Sequence, residues 1–331
     1  MKHLPLLLIS LLFSLLAIGQ NRVGSFFVQE SQGSYLFFPQ FFNPAAMNAS
    51  DLKISATAVS DFSHYNQGQL AIELPSYKSR LALGMGYSGT LHDSKSGYGS
   101  YLRKEQGYLN FTLPIKIKDG ILSIGARPFY AYYEEGFNLY EPHLISPHSD
   151  IFYPQDYIEE EINMDLGIYW KTENAFVGAS LSRIFDNERS KELQAAGHRA
   201  YLEQRNLYIT TGFFASTFNG KWKPGASLMF SSRGGSSNYT LHFNNRLFDH
   251  FLIGIGGGAS LDDYFYDPIS RDLWLTGYLG YEGDRIQVLL NGDYEPNKPY
   301  YHDEFYLLTS LQLSYRFLKT VSKKAVTLAK N

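Results

Sequence analysis

Ile162-Asn163-Met164-Asp165-Leu166-Gly167-Ile168-Tyr169-Trp170 is the stretch on which the reading of this chain turns. Every even position is apolar, and most odd positions are polar or small. That period of two belongs to a β-strand whose two faces meet different surroundings. The pattern recurs downstream, where Ile286, Val288 and Leu290 alternate with Gln287 and Asn291. Near the end, Phe305, Leu307, Leu311, Leu313, Tyr315 and Phe317 share one face, and Ser310, Gln312, Ser314 and Arg316 share the other. A soluble sandwich alternates in the same way, so the pattern alone does not say which face meets which solvent.

The connections separate the two cases. Alternation predicts strands near 52–62, 67–75, 79–89, 105–118, 120–133, 161–171, 174–185, 202–218, 221–233, 236–247, 250–264, 270–282, 285–295 and 304–317. That is an even number, each about long enough to cross a bilayer at a tilt (~9–11 residues). Links after even-numbered strands are short, as at Lys118-Asp119, Thr172-Glu173 and Phe248-Asp249. The long links, at 90–104, 134–160, 186–201, 263–269 and 296–303, all follow odd-numbered strands. A sandwich has no reason to sort its loops by parity, whereas an outer-membrane barrel has short periplasmic turns and long outer loops. The expected fold is therefore all-β: a transmembrane outer-membrane β-barrel of about 14 antiparallel strands over 51–317. Tyr315 and Phe317 end the closing strand in the lipid-facing register.

Composition agrees. Of 331 residues, 16% are aromatic and 29 are Gly, a balance that suits strands more than helical bundles. The formal net charge of −3 gives no electrostatic reason to expect a nucleic-acid partner. Cysteine is absent, which removes disulfides, thiolate metal sites, cysteine nucleophiles and a lipidated N-terminal Cys. Residues 1–19 read as a cleaved signal peptide: Lys2 and His3, an apolar run from Leu4 to Leu16, then Ala17-Ile18-Gly19. Sec-dependent export to the outer membrane follows from it. No later run is apolar and long enough for a transmembrane helix.

Catalytic and cofactor signatures are sparse, and no cofactor or metal is expected. There is no G-x-S-x-G, Walker A or H-E-x-x-H sequence. His302-Asp303-Glu304 are consecutive at a loop-to-strand junction, so their side chains point to opposite faces and converge poorly on an ion. Gly254, Gly256, Gly257 and Gly258 have no helix after them and read as wall residues. The region 134–160 stands out, with Glu134, Glu135, Glu141, Asp150, Asp156, Glu159 and Glu160 but no Lys or Arg. Aromatics and three prolines lie among these acids. It reads either as a surface for a basic protein partner or as a loop folded over the barrel mouth. The segment 186–201 is compatible with a short helix on the same side. Residues 318–331 carry four Lys and no acid, and read as a solvated periplasmic end or a basic docking peptide.

Before the first strand lies Phe38-Pro39-Gln40-Phe41-Phe42-Asn43-Pro44-Ala45-Ala46, within a 20–50 segment read as a periplasmic or plug region. An aromatic stretch running into Asn43, Pro44 and Ala45 resembles the PorP/SprF family of outer-membrane proteins of the type IX secretion system in Bacteroidota. Three further blocks carry the resemblance. The first is Gly107-Tyr108-Leu109-Asn110-Phe111-Thr112-Leu113-Pro114-Ile115-Lys116 with Leu122-Ser123-Ile124-Gly125-Ala126. The second is Asp165-Leu166-Gly167-Ile168-Tyr169 with Phe176-Val177-Gly178-Ala179-Ser180-Leu181. The third is Gly212-Phe213 with Lys223-Pro224-Gly225.

The resemblance implies a barrel that is not an enzyme and that works with secretion and gliding components. It implies help for particular cargo proteins in reaching, or staying on, the cell surface. Asn43-Pro44-Ala45 would then mark where the chain joins the barrel. Pro44 keeps Asn43 extended, and direct cargo contact is the other role open to the motif. Two other readings stand beside this one: a channel for hydrophobic or amphiphilic small solutes, its lumen plugged by Phe26-Phe27, Phe37-Phe38 and Phe41-Phe42, and an embedded lipid-modifying enzyme using a Ser–His pair. The partners expected are outer-membrane lipid, a secreted surface protein and type IX components.

Overall fold

The computed structural model describes residues 34–47, 51–60, 65–74, 81–93, 99–138, 157–185, 205–215, 221–233, 236–262, 271–295 and 306–317. The signal peptide at 1–19, Phe26-Phe27, Glu141, Asp150, Asp156, the 186–201 segment, His302-Asp303-Glu304 and the tail at 318–331 lie outside these residues.

Fourteen strands form one closed antiparallel barrel in which each strand pairs with its sequence neighbours and the first pairs with the last. They are β1 (Leu52–Ser60), β2 (Tyr65–Leu74), β3 (Ala82–Asp93), β4 (Gly99–Ile117), β5 (Gly120–Asn138), β6 (Tyr157–Lys171) and β7 (Ala175–Ser182), followed by β8 (Asn206–Phe214), β9 (Trp222–Arg233), β10 (Ser236–Leu247), β11 (Phe251–Asp262), β12 (Arg271–Glu282), β13 (Ile286–Glu295) and β14 (Tyr306–Phe317). Closure gives every strand a paired neighbour on both sides, which is how a sheet satisfies its backbone in a membrane. Leu52 faces Phe317 and Ile54 faces Tyr315 across the closing seam. There the Tyr315 and Phe317 rings meet edge-on, with centroids 4.7 Å apart.

The alternation points the way the opening stretch implies. In β6, Ile162, Leu166 and Ile168 are exposed on the outside, while Glu161, Asn163, Asp165 and Tyr169 are buried inside. The same holds in β14, with Ser310, Gln312 and Ser314 inward. Outward aromatics cluster toward the two ends. Trp222, Phe251, Tyr281 and Phe317 stand at the turn end, and Tyr87, Tyr130 and Tyr239 toward the loop end. An apolar band flanked by aromatic belts is the outer surface of a bilayer-spanning barrel.

Several expected boundaries move. Strands β5 and β6 run further than alternation suggested, so Glu134, Glu135, Glu159 and Glu160 lie in strands instead of a loop; Tyr133 pairs with Glu159 and Tyr132 with Glu160. Conversely, β7 stops at Ser182 because Arg183 takes a left-handed backbone, φ 56°. The Asn163 side chain then captures the backbone of Phe185, donating to its carbonyl at 3.0 Å and accepting from its N–H at 3.1 Å. The β10–β11 turn is tight: His250 N–H bonds to Leu247 O at 3.1 Å, with Phe248 and Asp249 both at positive φ. That is a type I′ hairpin turn.

Candidate functional site: a plug seated in the barrel lumen

Residues 34–47 lie inside the turn-side half of the barrel. They form a short helix, α1 (Ser34–Phe37), then two single 3₁₀ turns, Pro39–Phe41 and Pro44–Ala46. Each 3₁₀ turn begins with proline, whose fixed φ suits a first helical position and whose missing N–H costs nothing there. Asn43 is extended (φ −133°, ψ 113°), as a residue before proline must be, and its Oδ1 caps the second turn by accepting from Ala45 N–H at 2.9 Å.

The wall beneath Asn43-Pro44-Ala45 is built for it. Thr112, Gly125, Gly167 and Ser180 are successive cross-strand partners on β4, β5, β6 and β7. The two central glycines form a flat recess. A Cβ on Gly125 would overlap the Pro44–Ala45 peptide, and one on Gly167 would overlap Asn43 Oδ1. The flanking hydroxyls donate to the carbonyls at either end of the motif: Thr112 Oγ1 to Pro44 O at 2.7 Å, and Ser180 Oγ to Phe42 O at 2.7 Å. Asn110 Nδ2 adds a second bond to Pro44 O at 3.1 Å. Asn43 Nδ2 reaches two strand carbonyls, Ile168 O at 3.0 Å and Ala179 O at 3.2 Å. An irregular segment buried in a lumen needs such partners for its backbone.

A second clamp lies alongside. Arg127 pairs with Asp165 on the next strand, Nη2 to Oδ2 2.7 Å and Nε to Oδ2 2.8 Å. Its Nη1 donates to Gln40 O at 3.1 Å and Phe41 O at 3.0 Å. Asp165 Oδ1 accepts from Arg183 N–H at 3.1 Å, and the Arg183 guanidinium pairs with Glu161 and bonds to the Tyr133 hydroxyl. A buried arginine fork therefore holds plug carbonyls on one side and a buried carboxylate on the other.

The aromatic side chains of the plug fill the opposite wall. Phe38 packs with Leu252, Tyr278 and Leu289, and Lys53 Nζ, paired with Glu73 at 3.3 Å, lies 5.4 Å from its ring centroid. Phe42 packs with Tyr35 and Met229. The Tyr35 hydroxyl donates to Ser227 Oγ at 2.9 Å and lies 3.1 Å from His242 Nδ1; burial raises its pKa, so it stays protonated. Ser227 and His242 face each other across β9 and β10. Ser227 Oγ is engaged by Tyr35 and by Asn244 Nδ2 at 3.0 Å. On β11, Gly254, Gly256 and Gly258 are covered by the rings of Tyr278, His242 and Trp274, each of which occupies the space a Cβ would take.

Of the residues singled out in sequence, Asn43, Pro44 and Ala45 come together in this seat. Tyr315 and Phe317 stand at the outer seam. Glu134 and Glu160 face outward near the loop end, Glu159 is buried within, and Glu135 lies on β5 opposite Tyr157. Sequence reasoning passed over Arg127, Asp165, Arg183 and Glu161. Charged residues at inward positions of an alternating strand were the available signal. It also did not connect the family-like blocks to one another, yet they supply Asn110, Thr112, Gly125, Gly167 and Ser180, the floor and rim of the seat.

Comparison with known proteins is consistent with this architecture. A search of curated proteins finds no match. Among solved structures, the CymD monoaromatic hydrocarbon channel aligns with a TM-score of 0.54 at 11% identity, covering 89% of this chain and 95% of that one. A Pseudomonas aeruginosa FadL homologue aligns at 0.53 and 15% identity, covering 87% and 96%. CdiB from Acinetobacter baumannii aligns at 0.44 and 10% identity, over 82% of this chain, which spans only 60% of that protein. At such identities the likeness concerns fold, and the fold is that of outer-membrane barrels. The family described as type IX secretion system membrane protein PorP/SprF matches residues 27–295. With its closed fourteen-stranded barrel, this chain belongs to the PorP/SprF family of type IX secretion system membrane proteins.

Proposed function

We propose that this protein is a non-enzymatic outer-membrane component of type IX secretion that helps particular proteins reach or stay on the cell surface, those used in gliding among them. The observation that supports this most is the seated plug. Residues 34–47 occupy the turn-side lumen with their backbone carbonyls bonded to the wall. A barrel closed in this way suits a platform that displays its rim better than it suits an open pore.

In this reading the apolar outer band contacts outer-membrane lipid, and the signal peptide delivers the chain by the Sec route. The loop-side rim, from the ends of β5 and β6 to the 186–201 segment, engages a secreted protein. The turns and the basic 318–331 end face periplasmic components. Quantitative comparison of the surface and secreted proteomes of a deletion strain with wild type tests it. Loss of one or a few large surface proteins is expected; an unchanged proteome would remove the proposal.

A second reading is a channel for hydrophobic or amphiphilic small solutes. Supporting it are the aromatic side chains of the plug, with Phe38 buried against Leu252, Tyr278 and Leu289, and the likeness in fold to the CymD monoaromatic hydrocarbon channel. Uptake of such a solute, lost on deletion while the surface proteome stays intact, would favour it.

A further inference from the structure

Strand length around the barrel is uneven. β4 and β5 have 19 residues each and β6 has 15, whereas β7 has 8. β6 pairs with β5 along Tyr157–Lys171 but with β7 only over Leu166–Lys171. Above that, Ile184 N–H still bonds to Met164 O at 3.0 Å, and Asn163 holds Phe185. From Tyr157 to Ile162 no strand pairs with the β7 side of β6 among the described residues. Ile162 lies opposite Tyr130, at the level of the loop-end aromatics, so this edge begins where the apolar band ends.

The edge has a defined chemistry. Met164 O points away from β5, and backbone direction alternates along a strand, so the N–H and C=O groups of Ile158, Glu160 and Ile162 also point to the β7 side, where no strand among the described residues pairs with them. Their side chains share the outer face. Ile158 and Glu160 are exposed, and Ile162 is 82% exposed. Glu160 accepts a hydrogen bond from Tyr130, but no Lys or Arg pairs with it among the described residues. Arg103 nearby is engaged by Glu105, and lies 3.8 Å from Glu134.

We propose that the β6 edge from Tyr157 to Ile162 docks an extended polypeptide segment by strand addition. Unpaired strand groups template such pairing, and the side chains opposite set its specificity. On one face, the incoming strand carries a basic residue opposite Glu160 and apolar residues opposite Ile158 and Ile162, an apolar-x-Lys/Arg-x-apolar sequence. The proposal rests on the functional reading above only in taking a secreted protein as the source of that strand.

The test uses the purified full-length protein in detergent micelles and a fluorescein-labelled synthetic peptide, Thr-Val-Thr-Lys-Thr-Val-Thr, followed by fluorescence anisotropy. Saturable binding is expected. Methylating the peptide's backbone amides should weaken it by about tenfold or more, on the scale of a lost strand-pairing hydrogen bond. Ile162→Pro, which removes a donor facing the β7 side, should do the same. Glu160→Lys should reject this peptide and bind its Lys-to-Glu counterpart. Absence of binding, or binding indifferent to backbone methylation, overturns the proposal whether or not the proline variant folds. A protein dimer that Glu160→Lys dissociates would assign the edge to a second copy of this chain and overturn it too. An unchanged proteome in the deletion strain would instead strike the functional reading and leave the measured peptide affinity untouched.

Discussion

Arg127 and Asp165 face each other across β5 and β6 as a buried pair, 2.7 Å between Nη2 and Oδ2, and the same guanidinium holds the carbonyls of Gln40 and Phe41. One side chain thus joins the wall to the plug. Its removal would leave a buried carboxylate without its cation and two plug carbonyls without a donor. Arg127→Ala is expected to destabilise the protein by about 3–5 kcal/mol, in equilibrium denaturant unfolding followed by tryptophan fluorescence. Adding Asp165→Asn should recover part of that loss, since the stranded charge is gone. Additive penalties in the double variant would mean the pair is not coupled.

The recess beneath Asn43 has no space for a side chain. Gly167→Val is expected to force the plug from its seat while the barrel still assembles, because the overlap is with Asn43 and not with another strand. Chymotrypsin should then cut between Tyr35 and Phe42 in the variant and spare this segment in the wild type. Gly277→Ala, where a Cβ meets nothing within 4 Å, serves as the silent comparison.

Asn43→Ala removes the acceptor for Ala45 N–H and both wall bonds, at a cost of about 1–3 kcal/mol to the seated state. With a cysteine at Ala46, maleimide labelling in isolated membranes should speed up by about tenfold for each 1.4 kcal/mol lost. Equal labelling rates would show that the cap does not hold the plug.

On the outer face the cost of charge should depend on depth. Ile168→Arg, within the apolar band, is expected to cost about 2–4 kcal/mol, and Ile117→Arg, outward beside the β4–β5 turn and opposite Gly120, about 0–1 kcal/mol. Reversible folding into lipid vesicles measures both. Equal costs would contradict the placement of the band.

At the β10–β11 turn, Lys223 Nζ from β9 lies 2.8 Å from Asp249 Oδ1, and its hydrogen bond and charge lower the Asp249 pKa. A lowered folded-state pKa contributes stability that is present above the unfolded value and lost as pH falls through the folded one. The exposed pair contributes little. Its signature is a carboxyl carbon titration midpoint in the wild type below that in Lys223→Met, and identical midpoints would remove the interaction.

Much of the fold was legible in residues taken a few at a time. Alternation at 162–170 and at 307–317 reports which side of each strand meets lipid and which meets the lumen, a property decided within a few residues. The sorting of short and long links by parity then determines strand number and direction. Boundaries slipped where local pattern was overruled by a distant partner. The acids Glu159 and Glu160 fall in the loop read from sequence, but pairing with Tyr133 and Tyr132 of β5 makes them strand positions, Glu159 inward and Glu160 outward. The candidate site was legible only as a motif. Asn43-Pro44-Ala45 announced an extended residue and a turn, without saying what they rest on.

The amino-acid sequence by itself determined that this is an even-stranded transmembrane barrel with turns on one side and loops on the other, because the period of two and the link lengths are local consequences of the surroundings of each strand. Tertiary structure alone decided the plug and its seat. Pro44 O meets Thr112 at a separation of 68 residues, and Phe42 O meets Ser180 at 138. The register of β4 to β7 sets two glycines between those hydroxyls in a single row. A glycine on a strand carries no local mark of what will lie against it; that depends on which irregular segment the closed wall has to accommodate.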